Sequence, residues 1–373
     1  MLIFFVIVIS YCSANLYFFY KVTTLFNVGP GFKILTGIAV FVMTLMPVFI
    51  PIYSHRASER SMKIISYTGY LWLAFLIPYF PAALILDLVT IVSPWNSWIA
   101  EHVHIAFAVP LSIAGLIVVY GFFEARNLKI ERLVIRTSKL PAGTDCVRIA
   151  QISDLHLSVT VGKTIINKII RATEKESPDI IVSTGDLIDG IVKHVGHLSA
   201  RLRLLNARYG KFAVTGNHEF YGGLRHTVKF IEDSGFTVLR DSGVTVENVI
   251  NVAGMDFTGG ETRGYSNDAA RRDERDVLSE LRPGLFTLLL KHRSDVIEEC
   301  LGLFDLQLSG HSHKGQIFPV NLATMFMFSY HTGFTKLPKG SAIYTSRGTG
   351  TAGPPIRFLS APEITIIDVV KEL

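Results

Sequence analysis

The first third of the chain consists of long apolar runs, whereas the remainder alternates short apolar runs with polar clusters. Four runs near the N-terminus each reach about the 20 residues that a bilayer span requires. They cover residues 2–20, 34–53, 64–92 and 105–123. This pattern predicts four transmembrane helices. A cleaved signal peptide is the alternative for the first run, but a basic start is missing and three further spans follow, which favours a helix.

Beyond residue 145 the apolar runs are short and rich in β-branched residues, which is typical of buried strands. These predicted strands cover residues 149–153, 180–184, 212–215, 286–290 and 306–309, and a closing strand is predicted at 363–370. Segments with a helical apolar period lie at residues 161–175, 197–208, 222–234 and 294–303. Because strands and helices alternate, the sequence predicts a layered α/β domain. We therefore predict a transmembrane region at 1–124, a linker with an edge strand at 125–145, and a second domain at 146–373.

Composition and charge agree with a membrane location. Hydrophobic residues make up 49% of the chain and charged residues only 18%, which is low for a soluble protein. The net charge of +5 includes cations that flank the apolar runs, so a membrane surface is favoured over nucleic acid. The three cysteines lie far apart without C-x-x-C spacing, which excludes a disulfide framework and fits a reducing compartment.

The distribution of Lys and Arg predicts the orientation. Three cations occupy the loop at 54–63, none occupies the loop at 93–104, and five follow the fourth span before residue 140. This places both chain ends in the cytoplasm and the protein in the inner membrane as a multi-pass protein. Lys21 and Lys33, in the loop between the first two runs, argue weakly against this orientation.

Polar residues near the third and fourth runs leave alternatives open. Asp87, near the end of a long apolar run, is either a residue for transport or a cap at the interface. Glu101, His102 and His104 form either a second metal site or an interfacial polar loop, and the loop is favoured.

The apolar stretch at 320–328 either dips into the bilayer or lines an acyl-chain groove, or else it packs on the sheet.

Metal-binding residue types follow five of the predicted strands. They are Asp154, His156, Asp186, Asn217, His292, His311 and His313. Open α/β sheets bind ligands at the carboxyl ends of their strands. A mixture of carboxylate, amide and imidazole suits Mn, Fe or Zn better than Ca or Mg. Seven ligands exceed the needs of one ion, so we expect two divalent ions that share a carboxylate, roughly 3.5–4 Å apart.

The five clusters together form the series D-x-H, G-D-x-x-D, G-N-H-[DE], H and G-H-x-H over residues 154–313. In this the chain resembles the calcineurin-like metallophosphoesterases. The segments at 344–350 and 362–364 are similar to a bacterial membrane-associated branch, which includes enzymes acting on UDP-diacylglucosamine, a lipid A precursor. The resemblance implies a β-sandwich flanked by helices. It also implies a metal-activated hydroxide that cleaves a phosphodiester or pyrophosphate bond, with a lipid-linked phosphate ester as substrate and a part in lipid A biosynthesis.

The resemblance also implies roles for single residues. Asp154, His156 and His313 would hold one ion, Asn217, His292 and His311 the other, and Asp186 would bridge them. His218 is expected as general acid or phosphate clamp. Asp189 and Glu219 are expected to orient imidazoles or His218.

Cations near the clusters are open to two interpretations. Arg293, Lys314 and Arg347 are candidate contacts to substrate phosphate, and Lys291 belongs to the same group. For Lys291, Arg293 and Lys314, which lie beside the metal clusters in the sequence, the alternative is a solvated surface charge.

Other functions also remain open at this stage. One is a soluble or cyclic nucleotide phosphodiesterase that the helices only tether, and another is a membrane sensor or transporter regulated by the phosphoesterase domain. The chain shows no basic stripe with interleaved aromatic residues, so we expect membrane lipids rather than nucleic acid as partner.

Overall fold

The structure is a computed structural model that describes residues 2–25, 28–54, 56–92, 103–189, 192–258 and 272–372. Glu101 and His102, which belong to the hypothetical second metal site, lie outside the described residues. The chain forms two compact units. The helical unit comprises Met1–Phe123, Ile317–Val320 and Gly353–Phe358, and the α/β unit comprises Glu124–Gln316, Asn321–Ala352 and Leu359–Leu373.

Within its described residues, the helical unit contains four long apolar helices. They are α1 (Leu2–Leu25), α2 (Pro30–Ser54), α3 (Glu59–Val92) and α4 (Val103–Glu124). Each is long and apolar enough to cross a membrane, as the apolar runs predicted. Aromatic rings fill part of the space between the helices, because Phe18 of α1 packs edge-on against Trp72 and Tyr79 of α3.

Polar side chains inside this unit pair with each other. Asp87 of α3 forms an ion pair with the buried Lys21 of α1 and accepts a hydrogen bond from the Tyr17 hydroxyl. Apolar surroundings make an unpaired charge costly, so this contact links α1 to α3. The Lys21 contact also changes the interpretation of Asp87, for which the sequence offered only transport or an interfacial cap.

The part of the α/β unit that the structure describes forms two six-stranded sheets. The strands are β1 (Lys129–Thr137), β2 (Cys146–Ile152), β3 (Ile180–Ser183), β4 (Lys211–Ala213), β5 (Thr237–Val238), β6 (Ser242–Val246), β7 (Ile250–Gly254), β8 (Phe286–Leu290), β9 (Leu306–Ser309), β10 (Gly333–Lys336), β11 (Ala342–Thr345) and β12 (Glu363–Lys371). The first sheet has the order β1-β12-β2-β3-β4-β5 and the second β10-β11-β9-β8-β7-β6. Strands β2 to β5 are parallel to one another, as are β7, β8, β9 and β11.

Helices of this unit are shorter. They are α5 (Lys163–Glu176), α6 (Ser199–Leu202), α7 (Asn217–Tyr221), α8 (Leu224–Asp233), α9 (Glu274–Ser279) and α10 (Val320–Met327). Single 3₁₀ turns occur at Val192–His194, Gly196–Leu198, Glu298–Cys300, His313–Gly315 and Pro338–Gly340. The main core lies between the sheets, where Ile149 and Val182 of the first join Leu288 and Leu308 of the second. This is the β-sandwich flanked by helices that the sequence predicted.

The two predicted helices at 197–208 and 294–303 are largely wrong. The first ends as α6 at Leu202, where the Lys211 ammonium donates to the Leu202 and Arg203 carbonyls. In the second, only the turn at Glu298–Cys300 is helical. There the Gln307 side chain donates to the Asp295 carbonyl, which a helix would have required for its own amides.

Strand β12, predicted at the closing end of the domain, lies inside the first sheet. It pairs parallel with β1 and antiparallel with β2. The first and the last strand of the α/β unit are therefore neighbours in one sheet. Strand β1 lies at one edge of the first sheet. The sequence missed β5 to β7 and β10, which are short or lack strong period-two alternation.

Candidate metal centre

Five parallel strands deliver polar side chains to one place. Strands β2, β3 and β4 of the first sheet lead to Asp154, Asp186 and Asn217. Strands β8 and β9 of the second sheet lead to His292 and His311. The carboxyl ends of parallel strands meet at the same edge of a sheet, and the two sheets face each other there. All seven predicted metal ligands are therefore brought together from sequence positions up to 159 residues apart (154 to 313).

The first group of ligand atoms belongs to Asp154, His156 and His313. The Nε2 atoms of His156 and His313 are 3.0 Å apart, and His313 Nε2 lies 3.5 Å from Asp154 Oδ1. The three side chains are buried. Their ligand atoms lie within 4.8 Å of one another, so these three side chains could hold a metal ion.

The second group belongs to Asp186, His292 and His311. His292 Nε2 lies 3.0 Å from His311 Nδ1 and 3.1 Å from Asn217 Oδ1. Asp186 Oδ2 lies 3.2 Å from His292 Nε2 and 3.6 Å from His156 Nε2. The Asp186 carboxylate thus faces an imidazole of each group, which is the position that a bridging ligand requires.

Ligand spacing and chemistry fit metal ions. Zinc–nitrogen bonds of about 2.0–2.1 Å place two ligand atoms of one ion about 2.9–3.4 Å apart, depending on geometry. The nitrogen–nitrogen distances of 3.0 Å within both groups lie in that range. The donors are imidazole nitrogen, carboxylate oxygen and amide oxygen, a mixed set that suits Mn, Fe or Zn.

The backbone at the ligands is held in an uncommon conformation. Asp154, His156, Asp186, His311 and His313 all have positive φ angles between 48° and 71°. Such angles cost about 1–3 kcal/mol for a residue other than glycine and cluster at functional sites. The surrounding sheets must therefore impose this geometry, which turns the ligand side chains inward.

Glycines allow the ligand loops to approach closely. A Cβ atom on Gly310 would overlap Ser153 Oγ and Asp154 Oδ2, and one on Gly216 would overlap the Asp186 carboxylate. The Gly-rich loop after β11 packs on the same region, because the Thr349 and Gly350 amides donate to the Ser153 and Asp154 carbonyls at 2.7 and 3.0 Å. Only the absence of a side chain at the glycines permits these contacts.

His218 lies at the rim of the cluster. Its Nδ1 is 2.8 Å from Asp189 Oδ1, and its Nε2 faces Asp186 Oδ2 at 4.0 Å. Asp189 Oδ1 also lies 3.5 Å from His156 Nδ1. Asp189 therefore lies within 3.5 Å of two imidazoles, those of His156 and His218.

Glu219 is fully buried and is placed differently from the expectation. Its carboxylate accepts hydrogen bonds from the backbone amides of Asp186, Leu187, Ile188 and Gly216 at 3.0, 2.9, 3.3 and 2.6 Å. The expected contact with an imidazole is replaced by contacts with four backbone amides. Glu219 thereby fixes the turn that carries Asp186.

The buried carboxylates and imidazoles of the cluster shift each other's pKa values. Burial opposes the charge on His292, but Asp186 outweighs it and raises the pKa of His292 to about 9. In the same way, Asp186 and Asp189 overcome burial and raise the pKa of His218 to about 10. Burial and the neighbouring His292 lower the pKa of His311 to about 3. The buried carboxylates thus favour cations, which divalent ions supply.

The predicted phosphate contacts have different surroundings. Arg347 forms ion pairs with Glu131 and Glu363, so its role as a phosphate contact competes with this pairing. Arg293 is 43% exposed and pairs with Asp295 at 3.3 Å. Lys314, with a φ of 50°, directly follows the ligand His313. Lys291 is buried against Glu274 at 2.8 Å, so it is not a solvated charge.

Further groups, which the sequence did not predict, contact the imidazoles. The Thr184 carbonyl lies 2.9 Å from His292 Nδ1, which leaves Nε2 directed at the cluster. The rings of Phe257 and Phe328 pack against His311, with centroids 6.1 and 5.5 Å away. Thr184 has a local signal, because it directly precedes Gly185 and Asp186. The two phenylalanines come from distant segments without such a signal.

Comparisons with known proteins give one consistent result. Residues 147–315 match the calcineurin-like phosphoesterase family. An uncharacterized metallophosphoesterase of Aquifex aeolicus is 38% identical over 258 residues, which cover 69% of this chain and 97% of the relative. The metallophosphoesterase YkuE of Bacillus subtilis is 32% identical over 262 residues, covering 66% of this chain and 88% of the relative.

Longer proteins are also similar. A transmembrane protein with a metallophosphoesterase domain from Danio rerio is 29% identical over 273 residues, covering 70% of this chain and 62% of the relative. A solved 5'-nucleotidase precursor from Thermus thermophilus is 15% identical with a TM-score of 0.38, over 60% of this chain. The match covers 54% of the nucleotidase chain, so this chain spans about half of its length.

Proposed function

Because this chain belongs to the calcineurin-like phosphoesterase family, we propose that it is a metal-dependent hydrolase of phosphate esters. The observation that carries the proposal is the convergence of seven ligand side chains from five strand ends on two neighbouring groups. A regulatory domain without activity would not need this complete set.

We propose two divalent ions of Mn, Fe or Zn. Asp154, His156 and His313 would hold one, and Asn217, His292 and His311 the other. Asp186 would bridge them, which is supported by its distances to His292 and His156. When bound, such ions supply an activated water as nucleophile and stabilise charge on the phosphoryl oxygens.

The remaining residues act on the substrate and on proton transfer. Asp189 accepts from Nδ1 of His218 and so fixes the ring, which leaves Nε2 on the side of the metal ligands. From there Nε2 can donate to a phosphoryl oxygen or to the leaving oxygen, as a phosphate clamp or general acid. Arg293 and Lys314 are the proposed further phosphate contacts, and Arg347 stays a prediction in that role.

We propose a phosphodiester or pyrophosphate of a lipid-linked molecule as substrate, with UDP-diacylglucosamine as one candidate. The four apolar helices in the same chain support a substrate from the membrane. The zebrafish relative is also named as a transmembrane protein. A nucleotide phosphodiester is the alternative that a substrate panel must include.

We also propose a multi-pass protein of the inner membrane with its catalytic domain at 146–373 in the cytoplasm. Cations in the loop at 54–63 and after the fourth helix support this orientation. Cysteine accessibility in intact cells, measured at Lys63 and at Lys175 after replacement by cysteine, would test it. Labelling of either position by a reagent that cannot cross the membrane would contradict it.

The test of the enzyme compares hydrolysis of bis-p-nitrophenyl phosphate and p-nitrophenyl phosphate by the purified full chain with Mn. We expect the Asp186→Ala variant to lose the activity and part of the bound metal. Asp233→Ala is the matched control, because the exposed Asp233 pairs with Lys229 on the surface of α8 and its loss should leave activity unchanged. Preference for the monoester would redirect the search to lipid phosphates. Activity that survives in Asp186→Ala would contradict the assignment of this site.

A further inference from the structure

Helix α10 presents an unusually apolar surface. Its sequence, VNLATMFM, has no charged residue, and all eight residues are at least partly exposed. The Phe326 side chain is 93% exposed, Met325 58% and Leu322 48%. Scattered exposed apolar residues are normal, but contiguous ones mark an interaction surface.

A polar side chain of α10 makes contacts within the protein. Thr324 Oγ1 lies 2.7 Å from Nε2 of His331, and the His331 carbonyl accepts from Ser312 Oγ at 2.7 Å. Ser312 lies between the candidate ligands His311 and His313. The helix is therefore tied to the ligand loop through its polar residue, while its large apolar side chains are exposed.

The segment that leads from the helical unit into α10 indicates which partner the apolar face of α10 contacts. Segment Ile317–Val320 belongs to the helical unit, and there Ile317 packs with Ala74 of α3 and with Ile356. Helix α10 begins at Val320, three residues after Ile317. The chain thus passes within three residues from a contact with α3, a helix apolar enough to cross a membrane, to the exposed apolar helix α10.

The C-terminal end of α10 leads to the candidate metal centre. Phe328 follows the helix, and its ring lies edge-on to His311 with a centroid distance of 5.5 Å. Met327 and Phe328 line a cavity of about 670 Å³ together with Arg293, Leu337 and Lys339. The cavity combines apolar walls with two cations, Arg293 and Lys339, and two carboxylates, Asp295 and Glu298, so it offers both apolar and charged contacts to an amphiphile.

We propose that α10 is an interfacial helix that inserts Leu322, Met325 and Phe326 into the lipid bilayer holding the spanning helices. Interfacial helices of this kind bury their apolar face about 5–10 Å into the boundary between headgroups and acyl chains. If the proposed function is also correct, a lipid phosphate ester reaches the cavity beside His311 without leaving the membrane surface.

The test places a fluorescent label on the helix in the full chain. Phe326→Cys is made in a Cys12→Ala and Cys146→Ser background, with the buried Cys300 retained, and labelled with an environment-sensitive nitrobenzoxadiazole dye. Leu204→Cys, whose parent side chain is 63% exposed on the α/β unit, is the matched control. The protein is reconstituted in nanodiscs of phosphatidylcholine and phosphatidylglycerol that contain doxyl-labelled lipid.

We expect the label at position 326 to emit at shorter wavelength than the label at position 204. Doxyl groups near the headgroups should quench it more than doxyl groups near the chain ends. Equal quenching of both labels by aqueous iodide, without quenching by doxyl lipid, would refute the proposal. Protection of position 326 from both quenchers would refute it in favour of a protein partner or a second copy. The readout needs no hydrolysis, so it can fail or succeed independently of the proposed function.

Discussion

The Glu219 carboxylate offers the sharpest test of how the fold positions the metal ligands. Each of its oxygens accepts from two backbone amides: Oε2 from Asp186 and Gly216, Oε1 from Leu187 and Ile188. In Glu219→Gln one oxygen becomes an amino group, which faces two amide donors whichever way the side chain turns. Two hydrogen bonds to a charged acceptor are then lost, at about 1.5–3 kcal/mol each, or about 3–6 kcal/mol together.

A loss of this size is a large part of the stability of a typical domain, about 5–15 kcal/mol. The turn at Asp186 would also relax, and the loss of a group that supports metal ligands lowers metal affinity about 10–100-fold. We expect Glu219→Gln to unfold at lower temperature in detergent and to retain less metal by elemental analysis. Glu232→Gln, on the exposed face of α8, should change stability by about 0.5 kcal/mol or less. Wild-type unfolding temperature and metal content in Glu219→Gln would refute the reasoning.

Two further substitutions test other parts of the α/β unit. Gly310→Ala should abolish metal binding, because its Cβ would overlap the Asp154 carboxylate, whereas Gly162→Ala, with open space around it, should bind metal normally in the same elemental analysis. Lys211→Met should lower the unfolding temperature, because the ammonium donates to the Leu202, Arg203 and Ser234 carbonyls. Burial and the nearby Arg203 lower the pKa of Lys211 from 10.5 to about 8. Between pH 8 and pH 10.5 the unfolded chain therefore binds more protons at Lys211 than the folded chain does. The free energy of unfolding of the wild type should then increase as the pH rises through this range. Thermal unfolding across that range should show this gain in the wild type and not in Lys211→Met, and equal pH profiles would contradict it.

The sequence predicted the four long apolar helices and the strands that precede the candidate ligands well, because their signals are local. A helix that spans a bilayer must be apolar along its whole length, so α1 to α4 are visible from composition alone. Strands β8 and β9 are continuous apolar runs because both faces are buried, and their bounds agree with the prediction. The ligands follow at strand ends, where a short motif is sufficient to identify them. Their roles, and the domain boundaries, remain predictions.

Other features depend on residues far apart in the chain and could not be predicted. The helix expected at 294–303 is reduced to the turn Glu298–Cys300, and the Asp295 carbonyl before it accepts hydrogen bonds from the Gln307 and Lys291 side chains. Local periodicity does not show such side-chain contacts. Charged residues were equally ambiguous, since Arg347 and Lys291 find carboxylate partners on distant segments.

The sequence by itself thus determined which chemistry the chain carries, whereas the tertiary structure decided how its atoms are placed. Ligand identity is encoded locally, in five motifs after five strands. The distance between Asp186 and His292, the backbone amides on Glu219 and the position of β12 between β1 and β2 all depend on the packing of two sheets. Contacts between distant residues follow from the sum of many weak packing terms, and no single stretch of sequence contains that sum.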